Sequence, residues 1–148
     1  MDMLKVPEIK VGVLVYNDQG EILLVTSHKW QDKWMVPGGG VEWGESLEET
    51  VRREIKEETT LDITDIHLLG VQESVLSPEF FKPAHIIFLD YCAKLVGGNL
   101  QLNQELQQYQ WIMPEAAYAL DLKPSIRLFI KNFQRFIAHN CGQDLFSM

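Results

Sequence analysis

Three glutamates, Glu54, Glu57 and Glu58, stand at i, i+3 and i+4, the spacing that puts three carboxylates on one face of a helix. Like charges so placed repel by roughly 0.2–0.5 kcal/mol per pair. Near a helix C-terminus the macrodipole adds to the penalty. A segment that concentrates negative charge against its own stability is suited to a cation. Mg²⁺ takes oxygen ligands in octahedral geometry, commonly one or two carboxylates completed by water and substrate phosphate. The plain alternative is a solvated acidic helix face, and the E-x-x-E-E cluster alone does not separate the two.

The upstream residues favour the metal. Gly38, Gly39 and Gly40 let the backbone approach a ligand closely, and a carbonyl there could complete a coordination shell. Glu45 lies in the turn before the helix, and Arg53 stands i, i+4 to Glu57 and can orient it. Seven of the 21 acidic residues fall between Glu42 and Glu58, yet Leu47, Val51 and Ile55 keep an apolar stripe. The element therefore has one face for packing and one for metal.

The elements that must position this helix follow from apolar periodicity and turn residues. Val11–Tyr16 and Glu21–Val25 read as a β-hairpin closed by Asn17-Asp18-Gln19-Gly20. A loop from Ser27 to Trp34 follows, and Pro37-Gly38-Gly39-Gly40 is expected to break regular structure completely. Ser46 with Glu49 forms a capping box that starts a helix running to Thr59. Val71–Leu76, Ile86–Ala93 and Gln108–Ile112 read as strands. Pro114–Leu120 reads as a short helix with proline in its first turn. Pro124 opens a last amphipathic helix presenting Ile126, Phe129, Ile130, Phe133 and Ile137 to the core, with a frayed tail from His139. The predicted architecture is α/β (α+β), a mixed β-sheet sandwiched between helices, with residues 1–148 forming one domain.

Composition narrows the partners. The 148-residue chain carries 13 Lys and Arg against 21 Asp and Glu, a formal net charge of -8. That balance argues against nucleic acid and anionic membranes, whose binding draws on clustered cations. An acidic protein can still bind phosphates when divalent cations bridge the two. Cys92 and Cys141 lack metal or redox spacing and read as free thiols. The N-terminus has no signal-peptide pattern, and no apolar run approaches the ~20 residues of a membrane span. A cytoplasmic protein is expected.

The segment from Trp34 to Leu61 resembles the Nudix box, G-x₅-E-x₇-R-E-U-x-E-E-x-G-U with U aliphatic. Gly39, Glu45, Arg53, Glu54, Ile55, Glu57, Glu58 and Leu61 match it, and Thr60 replaces the last glycine. Glycine would suit a left-handed residue ending the helix, which a β-branched residue fits poorly. The resemblance extends from the Val11 strand to the Asn103–Trp111 segment. It implies a Nudix fold and divalent ions, Mg²⁺ with Mn²⁺ as a substitute, held by the box glutamates against a diphosphate. Glu57 and Glu58 become first-choice ligands, Glu54 a ligand or the base that activates water, and the Gly39 carbonyl a further ligand. Arg53 and Glu45 would pair to hold the helix, and Glu57→Gln should remove most turnover. Glu105, before the strand containing Trp111, matches a further family glutamate that serves as ligand or base, with Glu79 a weaker base candidate.

Substrate contacts are assigned to Lys29 and Lys33 for phosphate and to Phe80 and Tyr109 for base stacking, with Trp30 and Phe81 as alternatives. The Gln108–Glu115 segment and Leu120-Asp-Leu-Lys-Pro are similar to Nudix nucleoside triphosphate pyrophosphohydrolases, which makes a (deoxy)nucleoside triphosphate the first substrate expectation. ADP-ribose or another nucleotide sugar is the second, supported by Pro78 beyond the box. A non-catalytic Nudix-fold nucleotide sensor is the third reading, disfavoured because every expected carboxylate is present. The family also suggests a homodimer, although the hydrophobic last helix could equally cover the sheet of its own subunit.

Overall fold

The computed structural model describes residues 5–146, with side chains described as far as residue 140. Among the described residues, seven strands form one mixed sheet: β1 (Glu8–Tyr16), β2 (Ile22–Thr26), β3 (Trp34–Met35), β4 (Gly38–Gly40), β5 (Asp62–Val75), β6 (His85–Gly97) and β7 (Tyr109–Ile112). Three helices accompany them, α1 (Leu47–Thr59), α2 (Pro114–Ala117) and α3 (Ile126–Phe146), with a 3₁₀ turn at His28–Trp30. The main path runs β3-β2-β1-β6-β5, while β4 pairs with β1 and β7 with β2. Strands β1 and β6 are parallel, in register from Glu8 opposite Ile86 to Tyr16 opposite Lys94. The other pairings are antiparallel.

Side-chain alternation on the central strands builds two cores. Val11, Val13 and Val15 of β1, with Leu23 and Val25 of β2, pack in one cluster with Val51 and Ile55 of α1. Leu14, Ile22 and Leu24 point the other way, into a cluster with Ile126, Phe129, Ile130 and Phe133 of α3. A period of two thus serves both faces at once, which explains why these strands read as unbroken apolar runs. This is the mixed sheet with helices on its two faces that the sequence predicts.

Several boundaries differ from expectation. Gly38–Gly40 does not interrupt regular structure but forms β4, antiparallel to β1 through the pairs Lys10–Gly40, Val11–Gly39 and Gly12–Gly38. The cause is the absence of side chains: a Cβ on Gly38 would lie 2.0 Å from the Val11 carbonyl oxygen. Strand β5 starts at Asp62 rather than Val71, because its polar outer residues hide a long ribbon paired to β6 through several register shifts. Leu47 lies outside the core at 39 % exposure, so the α1 stripe rests on Val51 and Ile55. Helix α2 stops at Ala117 and α3 begins at Ile126. The expected frayed tail after His139 is helical backbone to Phe146. Cys92 is a buried free thiol, whereas Cys141 lies outside the described side chains.

Helix α1 starts at the Ser46 cap, whose hydroxyl accepts from the Glu49 N–H at 3.1 Å. It ends on Thr60 in the left-handed region at φ 62°, with the Thr60 N–H bonded to the Lys56 carbonyl at 3.0 Å. The chain therefore closes the helix as a glycine would, and the Thr60 hydroxyl compensates by donating to the Asn99 carbonyl. Among the described residues no helix is long and apolar enough to cross a membrane.

Candidate active site

A cleft of about 230 Å³ opens beside α1, bounded by β4, the inner surface of β1 and β6, the 3₁₀ turn and the start of α3. Glu54 and Glu58 enter it from α1, Gly38 and Gly39 from β4, Glu105 from the loop before β7, and Lys29 from the 3₁₀ turn. Spacing of four along the helix puts Glu54 and Glu58 one turn apart on the same face. Both are buried, at 8 % and 4 % exposure. Glu58 accepts a hydrogen bond from the Gly38 N–H at 2.7 Å, which ties the helix to the glycine strand. Glu54 presses against Gly39 so closely that a Cβ there would meet its carboxylate at 2.4 Å. The glycine run is thus a wall built of bare backbone against two acids.

Arg53 organises the outside of this wall. Its Nε and Nη2 hold both oxygens of Glu45, at 2.6 and 2.9 Å, in the two-pronged geometry that suits guanidinium and carboxylate. Its Nη1 donates to Glu54 at 2.8 Å and to Glu57 at 3.3 Å, and Nη2 also reaches the Gly40 carbonyl at 2.9 Å. One side chain therefore links the turn before α1, the helix and β4. Hydrogen bonds from Arg53 and the Thr50 hydroxyl hold the Glu45 carboxyl down at about 2. Hydrogen bonds to the Glu45 and Glu54 carboxylates in turn push the Arg53 guanidinium upward.

The two cleft acids behave oppositely to Glu45. Burial pushes Glu58 up to about 8, against the opposing Gly38 hydrogen bond. Burial also raises Glu54, with Arg53 opposing. Carboxylates removed from water without a full set of donors favour their neutral form unless a cation joins them. Among the described residues no three His, Cys, Asp or Glu side chains converge into a ready-made cage. Two carboxylates nevertheless suffice for Mg²⁺, which completes its octahedron with water and phosphate. The hard oxygen donors and their shared burial fit such an ion.

A stability prediction follows. The folded-state value of Glu58 lies above its ordinary 4.5, so the folded protein holds a proton there that the unfolded chain releases. The associated stability is complete below about 4.5 and is lost as pH rises toward about 8. In metal-free protein, the melting temperature of Glu58→Gln should match wild type near pH 4 and exceed it increasingly up to pH 8. A constant difference across that range would contradict the burial argument.

The remaining sequence candidates divide clearly. Lys29 lines the cleft 3.8 Å from Glu105, and Phe80 is a buried part of its wall. Glu57 lies outside the cleft lining, its side chain 57 % exposed and tied to Arg53. Lys33 is turned away, bonded to Asp121 at 3.1 Å, so its expected phosphate contact is not supported by position. Tyr109 is half exposed on β7 and also outside the cleft, because it pairs opposite Val25 at the far side of β2. Glu79 and Phe81 do not line the cleft either, whereas Trp30 does. Sequence reasoning passed over Lys10, Asp90 and Lys123, which line its inner part. The available signal was a lone acid, Asp90, inside the apolar run Ile86–Ala93.

Comparison with known proteins agrees with this arrangement. The family model for the NUDIX domain matches residues 6–133. The nucleoside triphosphatase NudI of Escherichia coli K12 is 31 % identical over 101 residues, covering 64 % of this chain and 72 % of that protein. Among solved structures, the MutT protein from Methanosarcina mazei Go1 is 29 % identical with a TM-score of 0.72, over 90 % of this chain and 97 % of that one. The NUDIX domain of Shewanella oneidensis NrtR, solved as a complex with ADP ribose, shares the fold at a TM-score of 0.75 and 20 % identity, over 90 % of each chain. On the match over residues 6–133, joined to the fold and to the acid-lined cleft, the chain belongs to the NUDIX domain family as a MutT-like Nudix hydrolase.

Proposed function

We propose that this enzyme is a Mg²⁺-dependent nucleoside triphosphate pyrophosphohydrolase, releasing a nucleoside monophosphate and diphosphate. The observation that carries the reading is the pair of buried acids, Glu54 and Glu58, set against bare glycine backbone in an open cleft. The likeness to a nucleoside triphosphatase supports the choice of a triphosphate over other diphosphate compounds. When bound, Mg²⁺ neutralises phosphate charge, polarises the phosphorus and acidifies a water.

The protein's own groups supply the rest. Glu54 and Glu58 hold the ion, with Mn²⁺ as a substitute and the Gly39 carbonyl as a further oxygen ligand. Glu105 faces them from the loop before β7, and its carboxylate takes the proton of the attacking water. Lys29, next to Glu105, contacts phosphate. Arg53 and Glu45 hold α1 and β4 at fixed separation, so the acids do not have to reorganise during reaction. The water oxygen bonds to phosphorus as the phosphorus–oxygen bond to the departing diphosphate breaks. ADP-ribose is the second reading, favoured by Pro78 beyond the box and by the fold shared with a domain that was solved with that ligand.

The test is to incubate the protein with Mg²⁺ and a panel of nucleoside triphosphates, nucleotide sugars and dinucleoside polyphosphates, separating products by chromatography. Triphosphates should be turned over fastest. Faster cleavage of ADP-ribose would replace the leading reading with the second. Mg²⁺ and nucleotide binding with no turnover across the panel would argue for a sensor.

A further inference from the structure

The inner end of the cleft holds charged groups for which cleavage of a diphosphate has no use. Lys123, just before α3, is 6 % exposed. Its Nζ sits 4.1 Å from the Trp30 ring centroid and 3.9 Å from that of Phe88. Among the described residues no carboxylate or carbonyl bonds to this ammonium, although it lines the cleft. Burial lowers it to about 7, with nearby Asp90 opposing. An ammonium whose close neighbours are two aromatic faces, and which lines the cleft, has N–H donors left for a ligand.

Asp90 is equally buried, at 2 % exposure, on β6. Its Oδ2 accepts from Gln72 Nε2 at 2.7 Å, and that nitrogen also reaches the Ser125 carbonyl at 2.9 Å. The carboxylate is thereby fixed, with Oδ1 directed toward Gly12, where even an added Cβ would stand 3.8 Å away. Lys10, paired opposite Phe88, brings a second ammonium to the same end of the cleft. The set is therefore two ammonium groups that donate when charged and one carboxylate that accepts when ionised.

We propose that Asp90 and Lys123 read the edge of the nucleobase, Asp90 accepting a ring N–H and Lys123 donating to the adjacent carbonyl oxygen. This rests on the nucleotide reading above and adds its base selectivity. Lactam bases such as uracil, thymine and guanine present that N–H beside a carbonyl. Uracil and thymine offer a second carbonyl to Lys10. With Asp90 opposite that ring position, cytosine and adenine put an unprotonated ring nitrogen against its carboxylate and an amino group, which cannot accept, against Lys123. Sites built around hydrogen bonds discriminate strongly for this reason.

The experiment measures kcat/KM for dUTP, dTTP, dGTP, dCTP and dATP with Mg²⁺, and calorimetric binding of dUMP and dCMP without metal. Wild type should favour lactam bases by about tenfold or more. Asp90→Asn and Lys123→Met should each lower the lactam-to-amino ratio by about tenfold. The dTTP and dGTP arms tell pyrimidine from purine lactams. Equal use of all five bases by wild type, or an unchanged ratio in both variants, would overturn the inference while leaving the hydrolase reading intact. Selective dUMP binding without turnover of any triphosphate would support the base site and defeat the hydrolase reading. If Lys123→Met does not fold, wild-type selectivity and Asp90→Asn decide the matter.

Discussion

Replacing Glu58 by glutamine is expected to lower kcat by about 10²–10⁴-fold, while metal-free protein at neutral pH becomes more stable rather than less. The size follows from the several kcal/mol of charge stabilisation that a bound divalent ion supplies at phosphorus, at a factor of ten for each ~1.36 kcal/mol. The opposite sign on stability follows from the buried carboxylate, which favours its protonated form up to about 8. A residue that mattered through folding would lose activity and stability together, so the two readouts separate the roles. Glu54→Gln should lose activity on the same scale, because Glu54 shares the cleft and its burial. Glu57→Gln should lose about tenfold, since its carboxylate stands outside the cleft and steadies Arg53. This ranking moves weight from the Glu57–Glu58 pair toward Glu54 and Glu58, and steady-state kinetics on the three variants check it. A Glu58→Gln enzyme with nearly wild-type kcat would remove the metal assignment.

The helix of acids and its apolar side were legible because both depend on spacing along one element. Ser46 with Glu49, Val51 with Ile55, and Glu54 with Glu58 are local relations that a periodicity of 3.6 exposes directly. Which of three glutamates enters the cleft was not legible. It depends on the rotation of α1 against β4, set by the Gly38–Glu58 hydrogen bond and the Arg53 fan. That Lys33 and Tyr109 lie outside the cleft is hidden for a similar reason. A loop lysine looks free in sequence, but Asp121, 88 residues away, claims it. The inner pocket was hidden most deeply. Lys10, Asp90 and Lys123 come from three segments that meet only because β1 and β6 run parallel and the start of α3 returns over them. No single window of sequence contains that meeting.

The glycine strand offers the sharpest stability contrast in the molecule. Gly38→Ala should destabilise the fold by about 4 kcal/mol or more, a magnitude reserved for overpacking that cannot relax. Its new Cβ would meet the Val11 carbonyl at 2.0 Å and both Val11 C and Gly12 Cα at 3.0 Å, all of them backbone atoms of a central strand. Relief requires β4 to leave β1, which breaks the Val13–Pro37 bond at 2.9 Å and the Gly38–Glu58 bond at 2.7 Å. At roughly 2–4 °C per kcal/mol for a chain of this size, the melting temperature should fall by about 8–16 °C. Gly40→Ala, two residues on, meets nothing within 4 Å and should stay within about 0.5 kcal/mol of wild type. Gly39→Ala divides the two cases: the nearest neighbours of its Cβ are the atoms of the Glu54 carboxylate, a side-chain end that can swing aside. It should therefore keep most of its stability and lose turnover, because the acid that moves is one of the pair facing the cleft. Equal melting temperatures for Gly38→Ala and Gly40→Ala would mean that β4 does not press on β1 as described. The wall on which the positions of Glu54 and Glu58 depend would then have to be sought elsewhere.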